Sequence, residues 1–288
     1  MLRKKFFLKK FVLGTANFSM KYGIKNKKSF LKKNSINKIL KELVKSKILF
    51  IDTAKAYGKT EKNLGNFNLK KFKIITKINY IKKGFNTKEE IFKSLNNLKV
   101  KKLYGVLIHN TKILKNSNGK RVYRDLINLK KKGFIKKIGY SINSPKELSS
   151  YFKKFKPDII QTPLNVFDQR ILNSGWMSKL LSKKTEIHIR SIFLQGLLLI
   201  KKNKMPKKFL VYKKDFNKWH SWLKENKMSQ LEGCLNFASY QKQVSKVVIG
   251  VDSVNQLKKI LHTKIKNEKL NFSILETNKS KLINPRLW

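Results

Sequence analysis

Four side chains able to move a proton lie at or just beyond the ends of successive apolar runs in this chain. Asp52 ends the run Ile48-Leu49-Phe50-Ile51, and Tyr57 follows five residues later in Ala54-Lys55-Ala56-Tyr57-Gly58. Lys77 ends Lys73-Ile74-Ile75-Thr76, and His109 follows Leu103-Tyr104-Gly105-Val106-Leu107-Ile108. A phenol ordinarily titrates near pH ~10, and it donates a proton near neutrality when an adjacent ammonium favours its phenolate form. Tyr57 therefore calls for a lysine, and Lys77 is the candidate. Taken singly, an Asp at a strand end reads as a cap and a Tyr after a strand as packing. Four such groups in order, each at the end of a strand-like run, read as a catalytic set.

Strand-like and helix-like segments alternate along the chain to hold these groups. Strand-like runs occupy residues 10–14, 48–52, 73–77, 103–108, 137–141, 158–161, 186–191 and 246–250. Between them the apolar residues recur at helical spacing, as in Ile36, Ile39, Leu40 and Leu43 of 35–46, and likewise in 87–98, 120–132, 145–155 and 169–181. Thr87 with Glu90 suggests a capping box, and Ser144-Pro145 suggests a cap followed by a first-turn proline. Residues 209–240 are too long for one crossover and predict two helices broken near 226–229. Strand and helix in alternation predict an α/β fold with a parallel sheet, here a (β/α)8 TIM barrel. In a parallel barrel the strand C-termini share one mouth, so Asp52, Tyr57, Lys77 and His109 would converge there. The expected organisation is one domain over residues 1–288, with 264–288 as a C-terminal tail. Its terminal Trp288 would serve as a lid over the mouth or as an anchor on the barrel wall.

The chain resembles the aldo-keto reductase family from about residue 14 to about residue 261, through the string Phe50-Ile51-Asp52-Thr53-Ala54-Lys55-Ala56-Tyr57-Gly58 and the ordered Asp, Tyr, Lys and His. The resemblance implies an NAD(P)H-dependent oxidoreductase that reduces an aldehyde or ketone, a sugar-derived one included. Tyr57 would be the general acid, Lys77 its neighbouring ammonium, Asp52 the ion-pair partner, and His109 the hydrogen-bond donor to the substrate oxygen. Thr15 and Ala16 would lie beside the nicotinamide ribose, and Ser141 and Gln161 would bond its carboxamide. Arg190 stands where many relatives have a stacking Tyr, in Arg190-Ser191-Ile192-Phe193-Leu194-Gln195-Gly196. Ser191, Phe193 and Gly196 of that string would also line the cofactor, while Gly250, Ser253 and Gln256 would hold the adenosine phosphate. NADP(H) is the family's usual cofactor; Asp252, where many relatives carry a cation, keeps NAD(H) open. The alternative is a non-catalytic barrel that binds nucleotide as a sensor or regulatory subunit.

Composition narrows the rest. The chain has 288 residues, 41% of them hydrophobic, enough for a large core, and its formal net charge is +52. Such a charge invites a nucleic-acid reading. Yet 62 of the 68 basic residues are Lys and no block interleaves them with a stacking platform of aromatics, so the expectation is solvated lysine and no specific nucleic-acid partner. The short apolar start at Phe6-Phe7-Leu8 is cut by Lys9 and Lys10, unlike a secretory leader. No run approaches the ~20 apolar residues of a membrane span. Cys234 is the single cysteine, and the other histidines lack metal-ligand spacing, so no metal site is expected. A cytoplasmic enzyme acting on a small carbonyl substrate is the reading that results; the oligomeric state is not encoded in any pattern of the chain.

Overall fold

Short runs rich in Ile and Val form the strands β1 (Phe11–Gly14), β2 (Phe50–Asp52), β3 (Lys73–Ile78), β4 (Leu103–Ile108), β5 (Ile135–Ser141), β6 (Ile159–Pro163), β7 (Glu186–Arg190) and β8 (Lys246–Gly250). The computed structural model describes residues 2–20, 23–24, 30–79, 85–115, 117–268 and 270–288. The strands close into a barrel in chain order, all parallel, with β8 returning to β1. This is the expected (β/α)8 barrel, and every strand lies within two residues of its expected bounds. Close packing constrains the sequence at Gly139, where a Cβ would stand 1.8 Å from the Ile159 carbonyl oxygen.

The helices cover the sheet with their apolar faces. Lys33–Lys45 buries Ile36, Ile39, Leu40 and Leu43, each contributing roughly 1.5–3 kcal/mol by leaving water. Thr87–Leu98 has its expected bounds but a different start: the Asn86 side chain accepts from the backbone N–H groups of Lys88 and Glu89, and Thr87 is buried in the first turn. The expected helix at 169–181 is two, Arg170–Asn173 and Trp176–Ser182, because Gly175 adopts a left-handed φ of +72° between them. The helix expected at 145–155 is shorter, Lys146–Tyr151. Residues 209–240 do hold two helices with a break near 226–229, Lys213–Glu225 and Gln230–Tyr240, the second opened by a capping box between Ser229 and Glu232.

Three features lie outside the βα units. The N-terminal segment is a helix, Leu2–Lys9, whose Phe7 is buried and whose Arg3 lies 4.1 Å from the Tyr240 ring centroid. The C-terminal tail runs beside the loop that follows β6, with Thr277 N–H donating to the Phe167 carbonyl at 3.0 Å and Gln169 Nε2 to the Phe272 carbonyl at 2.8 Å. Trp288 packs edge-on against Phe209, 4.9 Å between centroids, and its Nε1 donates to the Lys281 carbonyl, so it anchors the tail. At the N-terminal end of the strands, Glu186 accepts from Tyr104 Oη and Lys137 Nζ, both at 2.7 Å, and meets His188 Nε2 at 3.1 Å. No described helix is long and apolar enough to cross a membrane.

Candidate active site

The last residue of β2, Asp52, is in register with Gly14 of β1 and Ile75 of β3. Lys77 lies two residues beyond Ile75, at the same end of the barrel. Its Nζ donates to Asp52 Oδ1 and, at 2.9 Å, to the Thr53 carbonyl, while Gln161 Nε2 from β6 donates to Asp52 Oδ2 at 2.7 Å. A buried pair of charges survives only when hydrogen bonds satisfy what the pair leaves over, and these do so. Burial by itself would lower the Lys77 pKa; attraction to Asp52 and then Tyr57 outweighs it and holds the amine above the usual lysine range. Lys77 is therefore a fixed cation.

Tyr57 sits on the loop that leaves β2. The loop is tied by Tyr57 N–H to the Ala54 carbonyl at 3.0 Å and by the Thr60 hydroxyl to the Tyr57 carbonyl at 2.7 Å. Gly58, at φ +60°, allows the reversal into the helix Thr60–Leu64. This places the Lys77 ammonium 5.2 Å from the Tyr57 ring centroid. His109 is set beside them by its backbone N–H, which donates to the Ile78 carbonyl at 2.9 Å, and its ring meets the Tyr57 ring edge to face, 6.0 Å between centroids. Burial, then the charges of Lys77, Arg190 and Arg286, push the His109 pKa down to about 3. The imidazole is neutral, and its Nδ1 has no hydrogen-bond partner among the described residues.

A cavity of about 320 Å³ opens at the strand C-termini, bordered by Asp52, Tyr57, Gln161, Arg190, Gly250, Asp252 and Gln256. Thr15, Ala16, Ser191, Phe193 and Gly196 also line it; Ser141 is buried and Ser253 partly so, both without bordering it. The Thr15 hydroxyl is spent on the Asp52 carbonyl at 3.0 Å, and the Ser253 hydroxyl caps the helix Val254–His262 by accepting from Gln256 N–H. The Arg190 guanidinium is held flat at the wall by neutral acceptors: the Ile142 carbonyl at 3.0 Å, Asn143 Oδ1 at 2.9 Å and Ser191 Oγ at 3.3 Å. Ser191 has a φ of +61°, a strained conformation for a non-glycine residue, and Asn165 Nδ2 fixes it by donating to its carbonyl at 3.2 Å. Among the described residues no cluster of three His, Cys, Asp or Glu could hold a metal.

Sequence reasoning passed over several contributors. Asn17 borders the cavity and donates to the Val251 carbonyl at 2.6 Å and to Asp252 Oδ1 at 2.5 Å. Its place after Thr15-Ala16, in the loop leaving β1, was the available signal. Asn143 and Gln195 had none: the first acts through Arg190, and the second lies at a φ of +53° where its carbonyl accepts from Ile24 N–H at 3.0 Å.

The model of the Aldo/keto reductase family matches residues 10–271. Among solved structures, the holo form of aldo-keto reductase AKR11C1 from Bacillus halodurans superposes with a TM-score of 0.70 at 16% identity, covering 90% of this chain and 88% of its own. The glycerol dehydrogenase AKR11B4 from Gluconobacter oxydans gives 0.66 at 19% identity, with the same coverage of 90% and 88%. Identities this low speak to the fold alone. No curated protein matches the chain. The family match spans all eight strands and the described residues that border the cavity, and on it this chain belongs to the aldo/keto reductase family of NAD(P)H-dependent oxidoreductases.

Proposed function

We propose that the protein reduces an aldehyde or ketone to an alcohol, with Tyr57 as the general acid. The observation that carries this reading is the placement of the Tyr57 ring between the fixed Lys77 ammonium, 5.2 Å away, and the neutral His109, at the edge of an open cavity. When bound, the reduced nicotinamide supplies the hydride that goes to the carbonyl carbon. Tyr57 gives its proton to the carbonyl oxygen, and Lys77 stabilises the phenolate left behind. Asp52 keeps Lys77 charged and aimed, and Gln161 keeps Asp52 in place. His109, uncharged above a pKa of about 3, donates a hydrogen bond to the same oxygen without competing as an acid. A positioned acid of this kind is worth roughly 10²–10⁴ in rate.

The donor set fits a dinucleotide along the cavity. Thr15 and Ala16 would offer backbone against the nicotinamide ribose, Gln161 would face its carboxamide from the cavity wall with Ser141, its register partner on β5, beside it, and Arg190 presents a flat cation on which an aromatic ring would stack. Ser191, Phe193 and Gly196 form the adjoining wall. Gly250, Ser253 and Gln256 lead into the start of the helix Val254–His262, whose N–H groups suit a phosphate. The substrate is a small polar carbonyl compound, sugar-derived in the simplest case, and the lysines are a solvated surface. A cytoplasmic setting accords with a lone, buried thiol at Cys234.

A crystal structure with reduced cofactor and a carbonyl analogue tests the arrangement. The nicotinamide should lie against Arg190 with the analogue's oxygen within hydrogen-bond reach of Tyr57 and His109. A cofactor bound with its nicotinamide away from Tyr57 would overturn the assignment.

A further inference from the structure

The geometry points to a second ligand site, at the end of the barrel opposite Tyr57, that takes a short linear polyphosphate. Most of the lysines form a solvated surface. Those at the N-terminal ends of β3, β4 and β5 differ, because they share one groove. Its volume is about 480 Å³, and Lys73, Lys102, Lys130 and Lys136 line it beside Tyr104. No Asp or Glu is among the described residues that border it, and its apolar members Phe72, Leu103 and Ile135 are buried.

The lysines of this groove are short of counter-charge. Lys130, from the helix Ser117–Lys131, is paired with Asp158 at 2.6 Å. Lys73, Lys102 and Lys136 are exposed and form no ion pair among the described residues. Further cations crowd against the same strand ends. The Nζ atoms of Lys73 and Lys246 both stand over the Phe50 ring, 5.4 and 4.0 Å from its centroid, and those of Lys136 and Lys137 over the Tyr104 ring, 6.0 and 5.8 Å away. The two rings meet edge to face with 5.0 Å between centroids.

A ring face attracts a cation, but cations gathered over neighbouring rings repel one another. Among the described residues, the only ion pair these four lysines make is Lys137 with Glu186, which Tyr104 and His188 also engage. Burial first holds the Lys246 ammonium below the usual lysine range; Glu186 opposes this, and the charges of Lys73 and Lys10 add to it. An anion in the groove would relieve the crowding.

The spacing of the donors selects the anion. Lys73 is the first residue of β3, Lys102 immediately precedes β4, and Lys136 is the second residue of β5. Adjacent strands lie about 4.8 Å apart, so the outer two are separated by roughly 10 Å. A single phosphate is too small to engage both, whereas a chain of three phosphates reaches across. Lysine suits such a ligand as a compact point charge that does not demand the paired geometry of a guanidinium. The net charge of +52 draws any anion toward the surface without choosing a place. That long-range part is screened at physiological salt, and contact binding in the groove is what remains.

Calorimetric titration with sodium tripolyphosphate at physiological salt tests this, in the wild type and in two triple variants, with thermal midpoints as the folding control. One variant is Lys73→Gln, Lys102→Gln, Lys136→Gln. The other removes the same charge from exposed positions on the helix Lys33–Lys45, as Lys38→Gln, Lys41→Gln, Lys45→Gln. Expected are one bound tripolyphosphate, held about tenfold or more tighter than orthophosphate, an affinity lower by about tenfold or more in the first variant, and a change under about twofold in the second. Tripolyphosphate should also protect Lys73 and Lys136 of the wild type from amine acylation, read by mass spectrometry, which needs no variant to fold. No binding, equal weakening in the two variants, or unprotected lysines would overturn the site. Displacement of tripolyphosphate by a lower concentration of a short DNA duplex would overturn the small-anion assignment in favour of nucleic acid.

Discussion

Lys77 and Asp52 form an ion pair whose side chains are 1% and 3% exposed, at the floor of the cavity that Tyr57 borders. Removing one partner strands the other charge away from water. Lys77→Met or Asp52→Asn should each lower stability by about 3–5 kcal/mol, and the double variant should lose clearly less than the sum. Chemical denaturation of the three variants measures this.

His109 sets the pH behaviour. Its folded pKa of about 3 lies below the ordinary value of 6.5, through burial first and the neighbouring cations after it. The unfolded chain takes up this proton below pH ~6.5 and the folded chain does not, so His109 costs stability as pH falls from there toward 3. Because it stays neutral in the folded state, His109→Asn should lower the reduction rate by about 10²-fold, the scale of one lost donor to a developing oxyanion, without altering the shape of the pH–rate profile between about 5 and 8. An inflection near 6.5 that the substitution removes would count against this role.

Glu186 gives a control at the opposite end of the barrel. Burial alone would raise its pKa, but hydrogen bonds from His188, Lys137 and Tyr104 outweigh it and bring it to about 2. A carboxyl depressed in this way stabilises the fold above its unfolded pKa of ~4.3, and the contribution is lost as pH falls toward 2. Glu186→Gln should cost about 2 kcal/mol near pH 7 and progressively less toward pH ~3, with catalysis unchanged. Urea denaturation at the two pH values, beside an activity assay, checks both halves.

Arg190→Ala should weaken binding of the reduced cofactor by about tenfold, and Arg190→Lys should not restore it, since an ammonium can neither stack nor span Ile142 and Asn143. Calorimetric titration of the two variants decides this. Unchanged affinity in Arg190→Ala would remove Arg190 from the cofactor wall.

The barrel was legible because each strand is a run of β-branched and apolar residues bounded by polar loops, and because Asp52, Lys77 and His109 lie at the ends of such runs, which a parallel barrel brings together. Helix ends were less legible. The start at Asn86 turned on whether Thr87 faces the core, and the break at Gly175 on one left-handed residue. Around the cavity, the place of a strand-end side chain such as Gln161 could be foreseen, but not its hydrogen bond to Asp52. Contacts made by backbone conformation could not, as with the positive φ of Ser191 and Gln195. Nor could second-hand support such as Asn143 behind Arg190, which depends on loops meeting from distant parts of the chain.

The decisive measurement is single-turnover oxidation of the bound reduced cofactor by a panel of aldehydes and ketones, comparing wild type with Tyr57→Phe. The wild type should oxidise the cofactor with at least one carbonyl compound, and Tyr57→Phe should bind cofactor equally well while reacting about 10²–10⁴ times more slowly. Equal rates in the two proteins would show that Tyr57 is not the proton donor and would contradict the mechanism built on it.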